Sequence, residues 1–201
     1  MAFQNNYWQK TNEGLQEHHK VAAHFIQPTD SVLDIGCGDG TFLDFITCKE
    51  KLGCDISVVA IDKCKEKGIT AFQWDIEEAF FEGHENYDVV TVLAFLEHCL
   101  EPEKVLKQAS LIGKKIIVAV PNMAFFVERL RCFFGLVPKE LSPRKGHCYY
   151  FTKKVLEKMI ESCDLRIVRR KHYFFPKNLH GFFPSLFATF FVYVCERNDK
   201  K

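Results

Sequence analysis

The stretch Val32-Leu33-Asp34-Ile35-Gly36-Cys37-Gly38-Asp39-Gly40 runs from a short apolar strand into a loop with glycine at every second position. A helix-forming segment, Thr41 to Cys48, follows it. Glycine lets a backbone turn sharply and lets a ligand approach where a Cβ would collide. The dinucleotide fingerprint spaces its glycines G-x-G-x-x-G and seats a pyrophosphate on the helix N-terminus. Here the spacing is G-x-G-x-G, with Asp34 before the loop and Asp39 inside it. Two carboxylates oppose a pyrophosphate and favour a cationic ligand that carries no phosphate.

Working outward, short apolar runs alternate with longer amphipathic ones, the pattern of an α/β sheet. Residues 11–27 predict a helix ending before Pro28. Strands are predicted at 31–36, 51–56, 69–74, 87–93, 115–120, 165–174 and 186–195. Helices are predicted at 41–48, 58–67, 103–111, 123–134 and 152–162, the last with Thr152 as N-cap. Asp55 closes the second strand, 21 residues after Asp34, where an acid of a nucleotide-binding βαβ unit accepts hydrogen bonds from ribose hydroxyls. Asp75 closes the third, placed to meet an exocyclic adenine amine, with Ile56 and Ile76 flanking the base. An aspartate at a strand end also serves as a helix cap. Three of them at successive strand ends are harder to read as three caps, because open α/β sheets bind ligands along that edge.

Composition sets the outer bounds. The chain has 201 residues, 47% of them apolar and 26% charged, which suits one globular domain and excludes a disordered or fibrous chain. The nine cysteines never fall as C-x-x-C and cannot all pair internally, so a reducing, cytoplasmic setting is expected, with no disulfide framework and no metal site. Residues 1–20 contain no apolar run of the signal-peptide type. The uncharged run 178–195 carries Gly181, Pro184 and several polar residues, and reads as the end of a β-hairpin rather than a transmembrane segment. Net charge is +1, yet residues 1–103 hold 7 Lys and Arg against 19 Asp and Glu, and residues 104–201 hold 20 against 7. Such polarity produces two solvated faces of opposite sign, or steers an anionic ligand toward the second half.

The glycine loop, Gly53-Cys54-Asp55-Ile56-Ser57 and Tyr87-Asp88-Val89-Val90-Thr91-Val92-Leu93-Ala94-Phe95-Leu96-Glu97-His98 together resemble class I S-adenosylmethionine-dependent methyltransferases, most closely the MetW-like group and related small-molecule methyltransferases. Lys115 to Asn122, His147 to Thr152 and Leu186 to Val194 support the resemblance, which spans residues 28–198. Ala94-Phe95 departs from it, since relatives often carry an acid before Leu-Glu-His.

The resemblance implies a single-domain, Rossmann-like seven-stranded sheet with helices on both faces and the last strand antiparallel. Within 1–201 it implies an N-terminal helical lid (1–27), a cofactor-binding half (28–122), a substrate-side insertion (123–150) and a C-terminal helix and β-hairpin (151–201). It places Asp34, Gly36, Gly38 and Asp55 at S-adenosyl-L-methionine, Asp75 and Ile76 at the adenine, and the backbone of Leu93 and Ala94 under the methionine part. His98, just past the fourth strand, is the first candidate base, and His147 the second. Tyr7 and Trp8 are candidates for the lid. Phe125, Phe126, Phe133 and Phe134 are candidates for an apolar acceptor wall, with Arg129, Arg131, Arg144 and Lys145 for an anionic group. The expected activity is methyl transfer to a small-molecule acceptor. A second reading is a non-catalytic partner of a biosynthetic enzyme, an acyltransferase of methionine synthesis. RNA methylation, prompted by Arg169-Arg170-Lys171, ranks last, because no Asn-Pro-Pro-Tyr motif occurs.

Overall fold

The computed structural model describes residues 5, 7–9, 14–79, 86–142, 145–174 and 183–198. Among them are strands β1 (Ser31–Ile35), β2 (Glu50–Asp55), β3 (Ala71–Gln73), β4 (Tyr87–Leu93), β5 (Gly113–Pro121), β6 (Leu165–Phe174) and β7 (Ala188–Arg197). The helices are α1 (Glu17–Ala23), α2 (Thr41–Phe45), α3 (Val58–Glu66), α4 (Pro102–Ile112), α5 (Phe126–Phe133), α6 (Lys153–Ser162) and α7 (Pro184–Phe187). Short 3₁₀ turns cover Leu96–His98 and Lys139–Leu141.

All seven strands join one sheet in the order β3-β2-β1-β4-β5-β7-β6. The pairs β1·β2, β1·β4, β2·β3 and β4·β5 are parallel, while β7 runs antiparallel to both β5 and β6. The expected Rossmann-like sheet with one reversed strand is therefore present. Alternation of side chains divides its core into two layers. Leu33, Ile35, Val90, Val92, Ile116 and Val118 face one layer with Val105, Leu106 and Ala109 of α4 and Leu156, Met159 and Ile160 of α6. Val32, Val89, Ile117, Val192 and Val194 face the other with Ala22 of α1, Phe42 and Leu43 of α2 and Ile61 and Cys64 of α3.

Several boundaries differ from expectation for local reasons. The third strand keeps only Ala71–Gln73, because its partner register runs out at Asp55↔Gln73. Leu186 and Phe187 belong to α7, which opens at Pro184, and β7 starts at Ala188. Proline at a first helical position is pre-set for helix and cannot donate to a sheet. Helix α2 ends at Phe45 rather than Cys48, where Ile46 turns to extended backbone. Residues 11–13, residues 175–182 and Arg144 lie outside the described residues. Arg169-Arg170-Lys171 stand on β6, the exposed edge strand, where charge discourages edge pairing. Arg170 is bound to Glu157 at 2.9 Å and lies over the Tyr193 ring.

Candidate functional site

In the sheet order the chain leaves β1 for β2 on one side and places β4 on the other, so the direction of winding reverses between β1 and β4. A crevice opens outside the carboxyl ends of the strands at such a point. The cavity found there has a volume of about 430 Å³, inside the range of ligand pockets.

The glycine loop forms its floor. Gly36 and Cys37 donate their N–H groups to the Cys54 carbonyl at 2.8 and 2.9 Å, which ties the loop to the end of β2. Gly36, Gly38 and Gly40 take φ of +73°, +55° and +75°, left-handed values that favour glycine. A Cβ on Gly38 would stand 2.4 Å from Cζ2 of Trp8, and one on Gly36 would stand 2.1 Å from the Phe95 ring. Both aromatic rings rest directly on bare backbone. Trp8, the expected lid residue, is buried and lines the cavity with Tyr7.

The acids arrive from the strand ends. Asp55 accepts the Gly38 N–H at 3.1 Å through Oδ2 and the Ser57 N–H at 2.8 Å through Oδ1, with a further backbone bond from Ile56, and part of its acceptor capacity remains for a ligand. Burial pushes its pKa up, and the backbone bonds from Ser57 and Gly38 oppose that. Asp34 is buried beside it and accepts the Thr91 hydroxyl at 2.6 Å. Burial pushes Asp34 up to about 7, the Thr91 bond holds it down, and the Asp55 charge adds to the rise. Asp39 is compensated within the fold, by Lys67 at 2.9 Å and the Thr41 N–H at 3.2 Å. Among the described residues Asp34 and Asp55 form no ion pair, so the acidity open to a cationic ligand there is theirs.

Leu93 and Ala94 line the cavity past β4, and Ala94 holds a φ of +49°, a strained value for a residue with a Cβ. Ile56 lines it as well. Asp75 and Ile76 do not. The Asp75 carboxylate accepts the Glu77 N–H at 3.0 Å in a turn, and Ile76 is packed in the core beneath α4. Asp75 thus closes a turn, not a helix, at the end of β3. The aromatic wall is displaced too. Phe133 and Phe134 are 81% and 71% exposed and meet edge to face, while Arg129 and Arg131 bond the carbonyls of Ala124 and Val137. From the insertion the cavity takes Glu140, Lys145 and His147 instead.

His98 and His147 meet edge to face, with ring centroids 4.8 Å apart. His98 Nδ1 lies 3.2 Å from the Gly146 carbonyl, and the Glu97 carbonyl accepts the N–H groups of Cys148 and Tyr149 at 2.7 and 3.0 Å. These bonds bring two segments separated by some fifty residues to one wall. His147 is pushed down to about 4, by burial first and then by the neighbouring His98. Glu97 is buried in the same wall. Residue by residue, the sequence had offered the two histidines without this glutamate. On the remaining side His18, pushed down to about 3 by burial, stacks on Phe190 at 4.5 Å.

Solved structures with this fold cover nearly the whole chain. A methyltransferase from Thermotoga maritima, described as a possible histamine N-methyltransferase, aligns with 98% of this chain and 91% of its own at 17% identity and a TM-score of 0.67. The magnesium protoporphyrin IX methyltransferase of Synechocystis PCC 6803, solved with bound S-adenosylhomocysteine, aligns with 98% and 94% at 15% identity and a TM-score of 0.66. A methyltransferase from Archaeoglobus fulgidus aligns with 90% and 95% at 18% identity and a TM-score of 0.63. At these identities the likeness establishes the fold. No curated protein matches the sequence. The family described as methionine biosynthesis protein MetW matches residues 16–180, most of the chain and all of the walls from Gln16 to His147, and the chain belongs to that family.

Proposed function

We propose that the chain is an S-adenosylmethionine-dependent methyltransferase acting on a small-molecule acceptor. The observation that carries this reading is a left-handed glycine loop at the β1/β4 switch point, flanked by two buried carboxylates that no cation pairs among the described residues. The residues fit the cofactor: the left-handed glycine turn lines the cavity between two buried carboxylates, Asp55 keeps acceptor capacity for a hydroxyl, and Asp34 complements a positive charge. When bound, S-adenosylmethionine supplies a methyl on a cationic sulfur; transfer to an acceptor oxygen forms C–O, breaks C–S and leaves S-adenosylhomocysteine and one proton.

The chain's own residues supply alignment and dryness. The ring of Trp8 and the strained backbone at Ala94 close the cavity on two sides, and holding the reacting groups in register lowers the barrier by several kcal/mol. The proton is the business of the His98–His147 wall. A carbonyl at His98 Nδ1 makes that nitrogen the donor, so Nε2 carries the lone pair. Asp75 and Ile76 enter the proposal only as supports of the adenine end, below β3.

The family's description, a methionine biosynthesis protein, is compatible with a second reading, a non-catalytic cytoplasmic partner of a biosynthetic enzyme such as an acyltransferase. Incubation with methyl-labelled S-adenosylmethionine and a fractionated small-molecule extract separates the two. Label appearing in a low-mass product, lost in Asp55→Asn, supports the enzyme. Cofactor binding with no label transferred across the extract favours the partner.

A further inference from the structure

We propose that Glu97, His98 and His147 form a divalent-metal site at the acceptor end of the cavity, taking manganese, zinc or ferrous ion in preference to magnesium or calcium. The site stands on geometry alone; the use made of it rests on the methyltransferase reading above. One ligand atom from each of the three side chains lies within 4.8 Å of the others, and all three residues line the cavity.

Local bonding prepares each of them. The Gly146 carbonyl at 3.2 Å fixes the His98 proton on Nδ1 and turns the Nε2 lone pair outward, the arrangement that commonly orients a histidine ligand. The Glu97 main chain is bolted to Cys148 and Tyr149, so the two halves of the site move together. A second observation points to a ligand independently. The His147 side chain is only 6% exposed, and its buried Nδ1 makes no hydrogen bond, with Glu140 Oε2 near it only at 3.5 Å. Such an atom carries a desolvation cost that folds rarely leave standing. Coordination through Nδ1 supplies the missing partner. Coordination through Nε2 instead leaves Nδ1–H facing Glu140 Oε2 at 3.5 Å, the carboxylate–histidine pairing typical of metal ligands.

The donor set selects the ion. Two imidazoles and one carboxylate suit borderline first-row metals, whereas magnesium and calcium prefer oxygen throughout. Three protein ligands leave further positions open to the cavity, as catalytic rather than structural sites do. The facing charges are Glu97, Glu140 and Lys145, and Lys145 is held by both oxygens of Glu140 at 3.0 Å. An acceptor oxygen is therefore a natural additional ligand. A metal there lowers the pKa of a bound hydroxyl; with the ion in place His98 Nε2 serves as a ligand rather than as the base, and the hydroxyl proton passes to solvent as the methyl arrives. The acceptor class is a hydroxylated small molecule able to bind the metal through oxygen.

Nine free thiols compete for zinc, so Mn²⁺ is the probe, applied to the full chain after chelator treatment and desalting. Calorimetry and the Mn²⁺ electron-spin signal should show one equivalent bound, with Mg²⁺ at least about tenfold weaker. His147→Ala, His98→Gln and Glu97→Gln should each weaken Mn²⁺ about tenfold or more. S-adenosylhomocysteine affinity should stay within about threefold in each folded variant, the range expected of sites that do not share ligands. If one variant loses its thermal transition, the other two carry the test. A chain that binds S-adenosylhomocysteine but not Mn²⁺ overturns the metal site and leaves the methyltransferase reading intact, as does Mn²⁺ binding indifferent to all three substitutions. Mn²⁺ binding that depends on them, in a chain that ignores S-adenosylhomocysteine, upholds the site and removes its proposed use.

Discussion

Asp34 and Asp55 sit one strand apart with different tasks. Asp55 anchors the loop through Gly38 and Ser57, so truncation to alanine would unseat the loop as well as the ligand. Asp55→Asn keeps an acceptor oxygen and tests the charge. It should weaken S-adenosylhomocysteine by ~1.5–3 kcal/mol, measured by calorimetry, in a chain with an unchanged fold. Asp34, pushed up to about 7, is partly protonated near neutrality. A cationic ligand beside it favours the ionised form, so affinity should rise about tenfold between pH 5.5 and pH 7 and lose that dependence in Asp34→Asn. The same shift acts on the free fold. Because the folded chain holds this proton more tightly than the unfolded one, stability falls as pH rises from about 4 to about 7 and stays lower above. Asp34→Asn should therefore raise the melting temperature of the unliganded chain at pH 8 by at least about 2 °C, by calorimetric scan. Gly36, Gly38 and both acids line the cavity as their place at the ends of β1 and β2 suggested, because parallel strands aim their carboxyl ends at one crevice. Glu97 was not legible, since a glutamate in a short 3₁₀ turn has no local signature and acquires meaning only when His147 folds against it.

Elements were readable to the extent that their own chemistry defined them. Thr152 was legible as a cap, and its hydroxyl does accept the Val155 N–H at 3.3 Å. Thr152→Ala should cost about 0.5–2 kcal/mol in denaturant unfolding with cofactor affinity unchanged, because α6 packs on the sheet away from the cavity lining. Strands β4 and β5, continuous and apolar, appeared where expected because burial on both faces leaves no alternation to misread. Strand β3 was overcalled, since its length depends on how far β2 extends beside it. The aromatic stretch before Gly135 was harder still. Helix α5 has a strongly one-sided pattern, which predicts a helix correctly but cannot say whether its Phe face meets the cavity or solvent. Phe133 and Phe134 turned outward, and the cavity drew on the less conspicuous Glu140 and His147.

At the scale of the molecule, sheet order explains why residues 34, 55, 94, 98 and 147 share one cavity. Parallel strands with right-handed crossovers aim their carboxyl ends at the same edge, and reversal between β1 and β4 opens a crevice there. The helices α1 to α3 cover one face, α4 and α6 the other, and no helix among the described residues is long and apolar enough to cross a membrane. The two walls of the cavity thus come from opposite sides of β1/β4: glycine loop, Asp55 and Trp8 on one, Ala94, His98 and His147 on the other. The central claim is that the first wall holds S-adenosylmethionine. Calorimetric titration of the full chain with S-adenosylhomocysteine tests it most directly. One site with a dissociation constant of about 100 μM or tighter, weakened at least about tenfold by Asp55→Asn, is the expected result. A folded chain that gives neither binding heat nor a thermal shift at millimolar S-adenosylhomocysteine would contradict it.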